Sequence, residues 1–311
     1  MADKYLVTGG AGFIGSNIVK ELLARGESVR VLDNFSTGKR DNVAPFKSNP
    51  LFELMEGDLR SFHIVRDAVK GVDYVLHQGA LPSVPRSIID PITTNDVNIL
   101  GTLNILEAAR EFGVKRVVYA SSSSVYGNNE SLPKVESQPV APVSPYALSK
   151  YTGERYCQIY YHLYGVETVA LRYFNVFGPN QDPTSQYSAV IPKFIKALNA
   201  GNQPVIFGNG QQSRDFTFVS NNVQANLRAC KASNVGGEVF NIATGVRYTL
   251  LELVDTLNRL LGTSIKPRFE SDRRGDVLHS LASVDKAKSQ LGYTPDVGLE
   301  KGLQLTISEM R

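Results

Sequence analysis

Tyr146 and Lys150 stand four residues apart in SPYALSK (144–150), directly after a proline suited to the first turn of a helix. An i, i+4 pair shares one helix face, so a phenol and an ammonium placed this way can act together. A free tyrosine titrates near 10. To serve as a base near pH 7 its phenolate needs stabilising by about 3 units, roughly 4 kcal/mol, and a fixed ammonium is a field of the right sign. Taken alone, most Tyr-x-x-x-Lys matches are a packed ring and a solvated lysine, so the pair needs company. It has it in YASSSSVYG (119–127), where an apolar run ends in four serines. A hydroxyl both donates and accepts hydrogen bonds, and the carboxyl ends of strands are where an open α/β sheet places its chemistry.

The amino-terminal end supplies the second constellation. An apolar run at 4–8 leads into TGGAGFIG, in which Gly10, Gly12 and Gly15 fit G-x-G-x-x-G and Gly9, Gly12 and Gly15 fit G-x-x-G-x-x-G. Glycines there let the backbone turn tightly and approach a pyrophosphate, which the N-terminus of the next helix then meets with free N–H groups and a positive dipole end. A glycine triplet by itself is often only a turn. Here it follows a strand, precedes the helical FIGSNIVKELLARG, and is followed by a second strand ending in Asp33. Asp33 is placed to accept hydrogen bonds from an adenosine ribose and to repel a 2′-phosphate, which favours NAD over NADP; the nearby Lys39 and Arg40 pull the other way. Asp58, in EGDLR, is placed either to hold the adenine amino group or simply to face solvent. A bound oxidised nicotinamide would add a second positive field beside Tyr146.

These residues need a scaffold. The runs 4–8, 28–33, 51–57, 72–77, 115–121 and 166–173 read as strands buried on both faces, and the segments near 13–25, 61–70, 92–112 and 145–164 have helical period and length. That alternation predicts an α/β fold with a Rossmann-like doubly wound parallel sheet and right-handed crossovers. After Gly178 the rhythm breaks, so residues 1–180 read as the dinucleotide-binding domain and 181–311 as a smaller C-terminal α/β substrate lobe. Two later segments within about 212–243, at 212–230 and 237–243, are candidates to return to the main sheet. A length of 311 residues accommodates both units. The net charge of +3, from 33 basic and 30 acidic residues, gives no reason to expect nucleic-acid or membrane partners. Cys157 and Cys230 form no CxxC, the N-terminus runs straight into a strand, and no apolar stretch is long enough for a membrane span, so a cytoplasmic home is expected. His63, His77, His162 and His279 lack ligand spacing, and no metal site is expected.

TGGAGFIG, the serine strand end, Y-x-x-x-K and RYFNVFGP (172–179) together resemble the extended short-chain dehydrogenase/reductase superfamily, over essentially the whole chain. The resemblance implies that Tyr146 is the acid/base, that Lys150 binds the nicotinamide ribose and tunes that tyrosine, and that Ser122 orients the reacting sugar hydroxyl, with Ser123 and Ser124 close enough to be confused with it or to touch substrate. It implies a tightly bound NAD held by Gly9, Gly12, Phe13, Ile14, Gly15, Asp33, Asn34, Asp58, Leu59, Tyr146, Lys150 and Tyr173. RYFNVFG, QYSAVIPKF (186–194), GNGQQSRDFTFV (208–219) and RRGDVLHS (273–280) look like the substrate blocks of UDP-sugar 4-epimerases. Asn175, Ala189, Val190 and Ile191 would then border the nucleotide sugar, Arg214 and Arg273 would pair with its diphosphate as guanidinium forks do, and Asp276 would accept from the ribose.

A narrower resemblance is to UDP-N-acetylhexosamine 4-epimerases, carried by HQGALPSVPRS (77–87) and FNVFGPNQDP (174–183). It puts Ser83 and Gln181 near the sugar and its acetamido group. Where relatives restricted to unacetylated sugars carry a bulky tyrosine, this chain has Ser280, which leaves volume for an N-acetyl group; Pro82 departs from the glycine common in its loop. The implied reaction is inversion at C4 through a transient 4-keto sugar, on UDP-GlcNAc/UDP-GalNAc with UDP-Glc/UDP-Gal as further substrates. The rivals are a nucleotide-sugar dehydratase or decarboxylase, for which the acidic pair expected after the catalytic hydroxyl is replaced by Ser123 and Ser124, and a non-catalytic NAD sensor, which would more often lack the tyrosine or lysine. The resemblance also implies a homodimer formed by the helices near 98–112 and 145–164.

Overall fold

The computed structural model describes residues 2–182, 190–271 and 278–309. Strands β1 (Lys4–Thr8), β2 (Ser28–Asp33), β3 (Phe52–Glu56), β4 (Tyr74–His77), β5 (Arg116–Ser122) and β6 (Thr168–Tyr173) lie where the apolar runs predict them. The shorter β7 (Val176–Phe177), β8 (Val205–Phe207), β9 (Ser213–Arg214) and β10 (Thr217–Phe218) precede β11 (Glu238–Ile242), and β12 (Tyr248–Thr249) and β13 (Arg268–Glu270) follow. Seven of them form one parallel sheet in the order β11-β6-β5-β4-β1-β2-β3. The connections reverse direction between β1 and β4, and the crevice at that switch, outside the carboxyl ends of the strands, is where such sheets bind ligands.

Helices α1 (Phe13–Ala24), α2 (Phe62–Val69), α3 (Val84–Ile89), α4 (Pro91–Asn95), α5 (Gly101–Phe112) and α6 (Pro145–Tyr164) cross between strands of the first half. Helices α7 (Val190–Asn199), α8 (Val219–Lys231), α9 (Leu250–Leu261), α10 (Asp285–Leu291) and α11 (Leu299–Glu309) belong to the second. Their ends are written locally. Ser144 caps α6 by accepting from the Ala147 N–H at 3.1 Å, Pro145 sits in the first turn, and Gly165 ends the helix in the left-handed region. One apolar core lies on each face of the sheet. A third, around Phe177, Phe194, Ile206, Phe216, Leu253 and Leu303, fills the C-terminal lobe.

Two expectations need correcting. The run at 51–57 is not buried on both faces: β3 is the sheet edge, and Glu53 and Glu56 are exposed on it. Charge on an edge strand blocks edge-to-edge pairing with other chains. The helix expected over 92–112 is interrupted by one wide π turn, Asp96–Leu100, between α4 and α5. Such a turn inserts a residue and re-aims its side chains, and here it delivers Asn98 to the site described next.

Candidate active site

The last residues of β5 meet the first turns of α6. Lys150 is buried, and its Nζ donates to the Ala120 carbonyl at 2.8 Å. Burial pulls its pKa down to about 8, with the Glu154 carboxylate pushing back. Tyr146 is half-buried; burial raises its phenol above the ordinary value, while the neighbouring Ser122 side chain lowers it. Ser122 also accepts from the N–H and the hydroxyl of Ser124, at 3.2 and 2.9 Å. Of the serine run, then, Ser122 is the one held against Tyr146, and Ser124 orients it. The helix comes this close because position 153 is glycine: a Cβ there would lie 2.3 Å from the Tyr119 hydroxyl oxygen.

The glycine loop is a cradle of bare backbone. A Cβ on Gly15 would stand 2.2 Å from the Gly9 carbonyl oxygen, and one on Gly9 would stand 2.8 Å from Gly79. Gly9 also takes a φ of +66°, which glycine adopts at no steric cost. Helix α1 opens at Gly12 with no side-chain cap, so its first-turn N–H groups face outward for an anion. The side chains of Phe13 and Ile14 pack on the C-terminal core, which leaves those two residues their backbone for any ligand.

Asp33 is buried and accepts from the Ala11 and Phe35 N–H groups, at 2.9 and 2.8 Å. Burial raises its pKa and those bonds lower it. An ionised carboxylate has further lone pairs, so ribose hydroxyls can be accommodated. The two cations that would compete with it have other partners, Lys39 pairing with Asp182 at 3.1 Å and Arg40 with Glu56 at 2.8 Å. Asp58 is bound by Arg60 and by Asn34 (2.9 Å), its pKa drawn down to about 2. Leu59 packs against Gly79 and Gly101. The Tyr173 hydroxyl donates to Gln78 and accepts from Asn226, so only its ring and backbone are left for a cofactor. A backbone cradle, an uncapped helix start and a buried acid with lone pairs to spare together fit a dinucleotide.

In the other lobe, Asn175, Val190, Ile191 and Arg214 line one cavity of about 550 Å³, with Phe177, Phe194, Phe207 and Phe216 as aromatic wall. Asn175, at φ +35°, donates to the Asp215 carbonyl (3.0 Å) and to the Ser280 hydroxyl (3.3 Å). Arg214 donates to the Ser213 and Leu278 carbonyls. Gln181 donates to the Val176 carbonyl at 3.1 Å, and its buried Oε1 has no partner among the described residues. Ser83 holds a φ of +96° and caps α3 by accepting from Arg86; no bond ties it to the cluster around Tyr146. Ala189, Arg273 and Asp276 lie outside the described residues.

Residues 5–243 match the NAD dependent epimerase/dehydratase family. The chain belongs to that family. A putative UDP-glucose 4-epimerase of Methanocaldococcus jannaschii is 39% identical over 308 residues, 98% of each chain. Among solved structures, a UDP-N-acetylglucosamine 4-epimerase from Methanobrevibacter ruminantium, in complex with UDP-N-acetylmuramic acid, superposes with a TM-score of 0.95 at 38% identity, covering 100% of this chain and 99% of that one. The Thermus thermophilus UDP-glucose 4-epimerase complexed with NAD gives 0.89 at 36% identity, covering 98% of both. This epimerase-type enzyme has NAD as its cofactor and the expected extended short-chain dehydrogenase/reductase fold.

Several residues that build the enzyme's site went unread in the sequence. Asn98 accepts from the Leu81 N–H (2.7 Å) and donates to the Leu81 carbonyl and the Ser149 hydroxyl, tying the loop after β4 to α6. Nothing local announces a π turn. His77 lies buried between Thr8 (2.7 Å) and Thr102 (3.0 Å), and burial with the Lys150 charge holds it neutral, its pKa down at about 3. The aromatic wall was also missed, since a lone Phe in a short strand reads as core. Among the described residues no metal-binding cluster exists and no helix is long and apolar enough to cross a membrane.

Proposed function

We propose that this enzyme inverts C4 of UDP-N-acetylglucosamine and UDP-N-acetylgalactosamine, and works on UDP-glucose and UDP-galactose as well. The observation that carries the acetylated preference is Ser280. Its hydroxyl takes a hydrogen bond from Asn175 at the edge of the C-terminal cavity, and its small volume leaves room for an acetamido group. The Methanobrevibacter ruminantium neighbour acts on the acetylated sugar, which supports the same reading. A dehydratase neighbour exists, DesIV of Streptomyces venezuelae at 33% identity, but elimination needs an added acid and base. Here the residues after Ser122 are serines, one of them engaged in orienting it.

In this reading the glycine loop and the start of α1 hold the NAD pyrophosphate, Asp33 takes the ribose hydroxyls, and Lys150 faces the nicotinamide ribose. NAD, when bound, supplies a reversible hydride acceptor. The chain's own residues manage the proton. Ser122 orients the C4 hydroxyl, Tyr146 accepts its proton as the 4-keto sugar forms, and Tyr146 returns it after the sugar has presented its other face. Lys150 stabilises the phenolate electrostatically. Arg214, with Arg273 and Asp276, grips the diphosphate and ribose while the hexose stays loosely held, so the intermediate is retained yet free to turn.

We further read the enzyme as a homodimer. Leu148, Ile159 and Leu163 are 52%, 40% and 69% exposed on one stripe of α6, an apolar surface suited to a partner helix. Free, buried Cys157 and Cys230 suit a reducing cytoplasm. The test of substrate is direct: incubate the NAD-loaded protein separately with UDP-N-acetylglucosamine and with UDP-glucose, and follow the C4 epimer by NMR. Conversion of both, faster for the acetylated sugar, is expected; conversion of UDP-glucose alone overturns the role given to Ser280.

A further inference from the structure

Three successive residues at the end of β5 engage one face of α6. The Ala120 carbonyl accepts from Lys150 at 2.8 Å, Ser121 donates its hydroxyl proton to Glu154 Oε1, and the Ser122 side chain stands close enough to Tyr146 to lower its phenol pKa. Tyr146, Lys150 and Glu154 are an i, i+4, i+8 row, one turn apart each. The first two have roles in the chemistry proposed above; Glu154 has none so far. Its side chain is 1% exposed, and Arg172 holds it in a fork, Nε at 2.9 Å and Nη2 at 2.8 Å, from a side chain itself 5% exposed.

Stability alone is a weak reason for such a pair. Desolvating two charges offsets most of their attraction, and apolar replacements of similar volume are often as stable. Its position is informative. The carboxylate joins α6, β5 and β6 directly behind the reacting groups, and the guanidinium that pairs with it lies over the Tyr126 ring at 4.7 Å. We propose that Glu154 is a positioning residue for epimerisation: held by Arg172, it fixes the end of β5 against α6 through Ser121 and sets its carboxylate one helical turn from the Lys150 ammonium beside Tyr146. This rests on the reading of Tyr146 and Lys150 as acid/base and partner.

The other groups facing Lys150 do not replace it. From β4 comes His77, held neutral; from β5 comes Tyr119, its ring 5.1 Å from Nζ; and from β6 comes Arg172, paired with Glu154 itself. The uncharged Asn98 and Thr102, from the π turn and α5, bond Ser149 and His77 instead, and α6 itself brings Tyr146. Burial depresses Lys150 and the Glu154 charge opposes that depression. Without the carboxylate the ammonium loses its proton at lower pH.

The test uses the full-length, NAD-loaded protein and measures kcat against pH. Glu154→Gln is expected to move the alkaline limb down by about one unit with NAD content unchanged, and Glu154→Asp to restore part of the shift. Because the single change strands the Arg172 charge, Glu154→Gln with Arg172→Met is measured beside it; it should fold and show a limb displaced in the same direction, by less. Ser121→Ala unpairs no charge and should lower kcat by roughly tenfold through misplacement, with KM unchanged. A limb that stays in place with only a uniform loss of activity or of Tm overturns the inference, as does failure of both charge variants to fold or unchanged kcat in Ser121→Ala. Tyr146→Phe, run in parallel, separates the two levels. If it retains full turnover the underlying acid/base reading fails; if it is inactive while the Glu154 profiles stay in place, only the positioning role falls.

Discussion

Around the first turn of α1 the protein offers a ligand bare backbone, whereas in the C-terminal cavity it offers side chains. Gly9 and Gly15 are where they are because a Cβ would strike main-chain atoms at 2.8 and 2.2 Å. Asn175, Arg214 and the four phenylalanines of the cavity wall are separate side chains from β7, α7, β8, β9 and the loops beside them. The contrast fits what each end would recognise in the proposed function. A pyrophosphate is met by N–H groups and a helix dipole, which any sequence with the right glycines supplies. A base and a sugar are met by shape and by placed polar groups, which must be chosen one at a time. The first kind of site tolerates almost no substitution, and the second can be retuned.

Five variants set this difference at risk. Gly15→Ala should have the largest effect, since its Cβ meets the Gly9 carbonyl oxygen at 2.2 Å; purified protein should lack NAD by absorbance and mass, and a cofactor-replete variant would refute the backbone account. Tyr146→Phe should keep NAD and lose about 10²–10⁴-fold in kcat, read by the NMR epimerisation assay. Phe207→Ala should leave NAD content intact and raise KM for UDP-sugars roughly tenfold, in line with the ~1–3 kcal/mol of a base stacked on an aromatic ring; equal losses at both sites would mean the lobes are not separable in this way. Ser280→Tyr should lower kcat/KM for the acetylated sugar relative to UDP-glucose by about tenfold, so competition between the two sugars in one tube is the sensitive readout. Asp182→Asn removes an exposed pair with Lys39 that runs between the loop after β2 and the loop after β7. It should speed NAD release no more than about fivefold, the range of such pairs, and the change should vanish in high salt.

The two ends also differed in how far they were legible. Six strands and the α1 and α6 boundaries were readable because each depends on neighbours in the chain: an apolar run, a glycine, Ser144 before Pro145, Gly165 at the end. The exposed edge at β3 was not, since whether a strand has a neighbour on both sides is a property of the sheet. Within the site, Ser122 could be bracketed but not separated from Ser123 and Ser124. Its distinction is that its side chain is the one that acts on the Tyr146 phenol, and that it accepts two bonds from Ser124. Asn98 and Glu154 gave no signal at all, because a polar residue inside a helix is usually solvated, and only packing shows these two to be buried.

Residue types and their spacing were therefore enough for the parallel sheet, the bare glycine loop before α1 and the placing of the tyrosine and lysine on one helix, all of which are encoded by periods and turns a few residues long. The grouping of Asn175 with Ser280, of Asn98 with Ser149 and of Ser121, Glu154 and Arg172 came from the packed chain alone. Each joins segments from different strands and helices, and local pattern carries no information about which distant segments will meet when the cores on the two faces of the sheet and in the second lobe close.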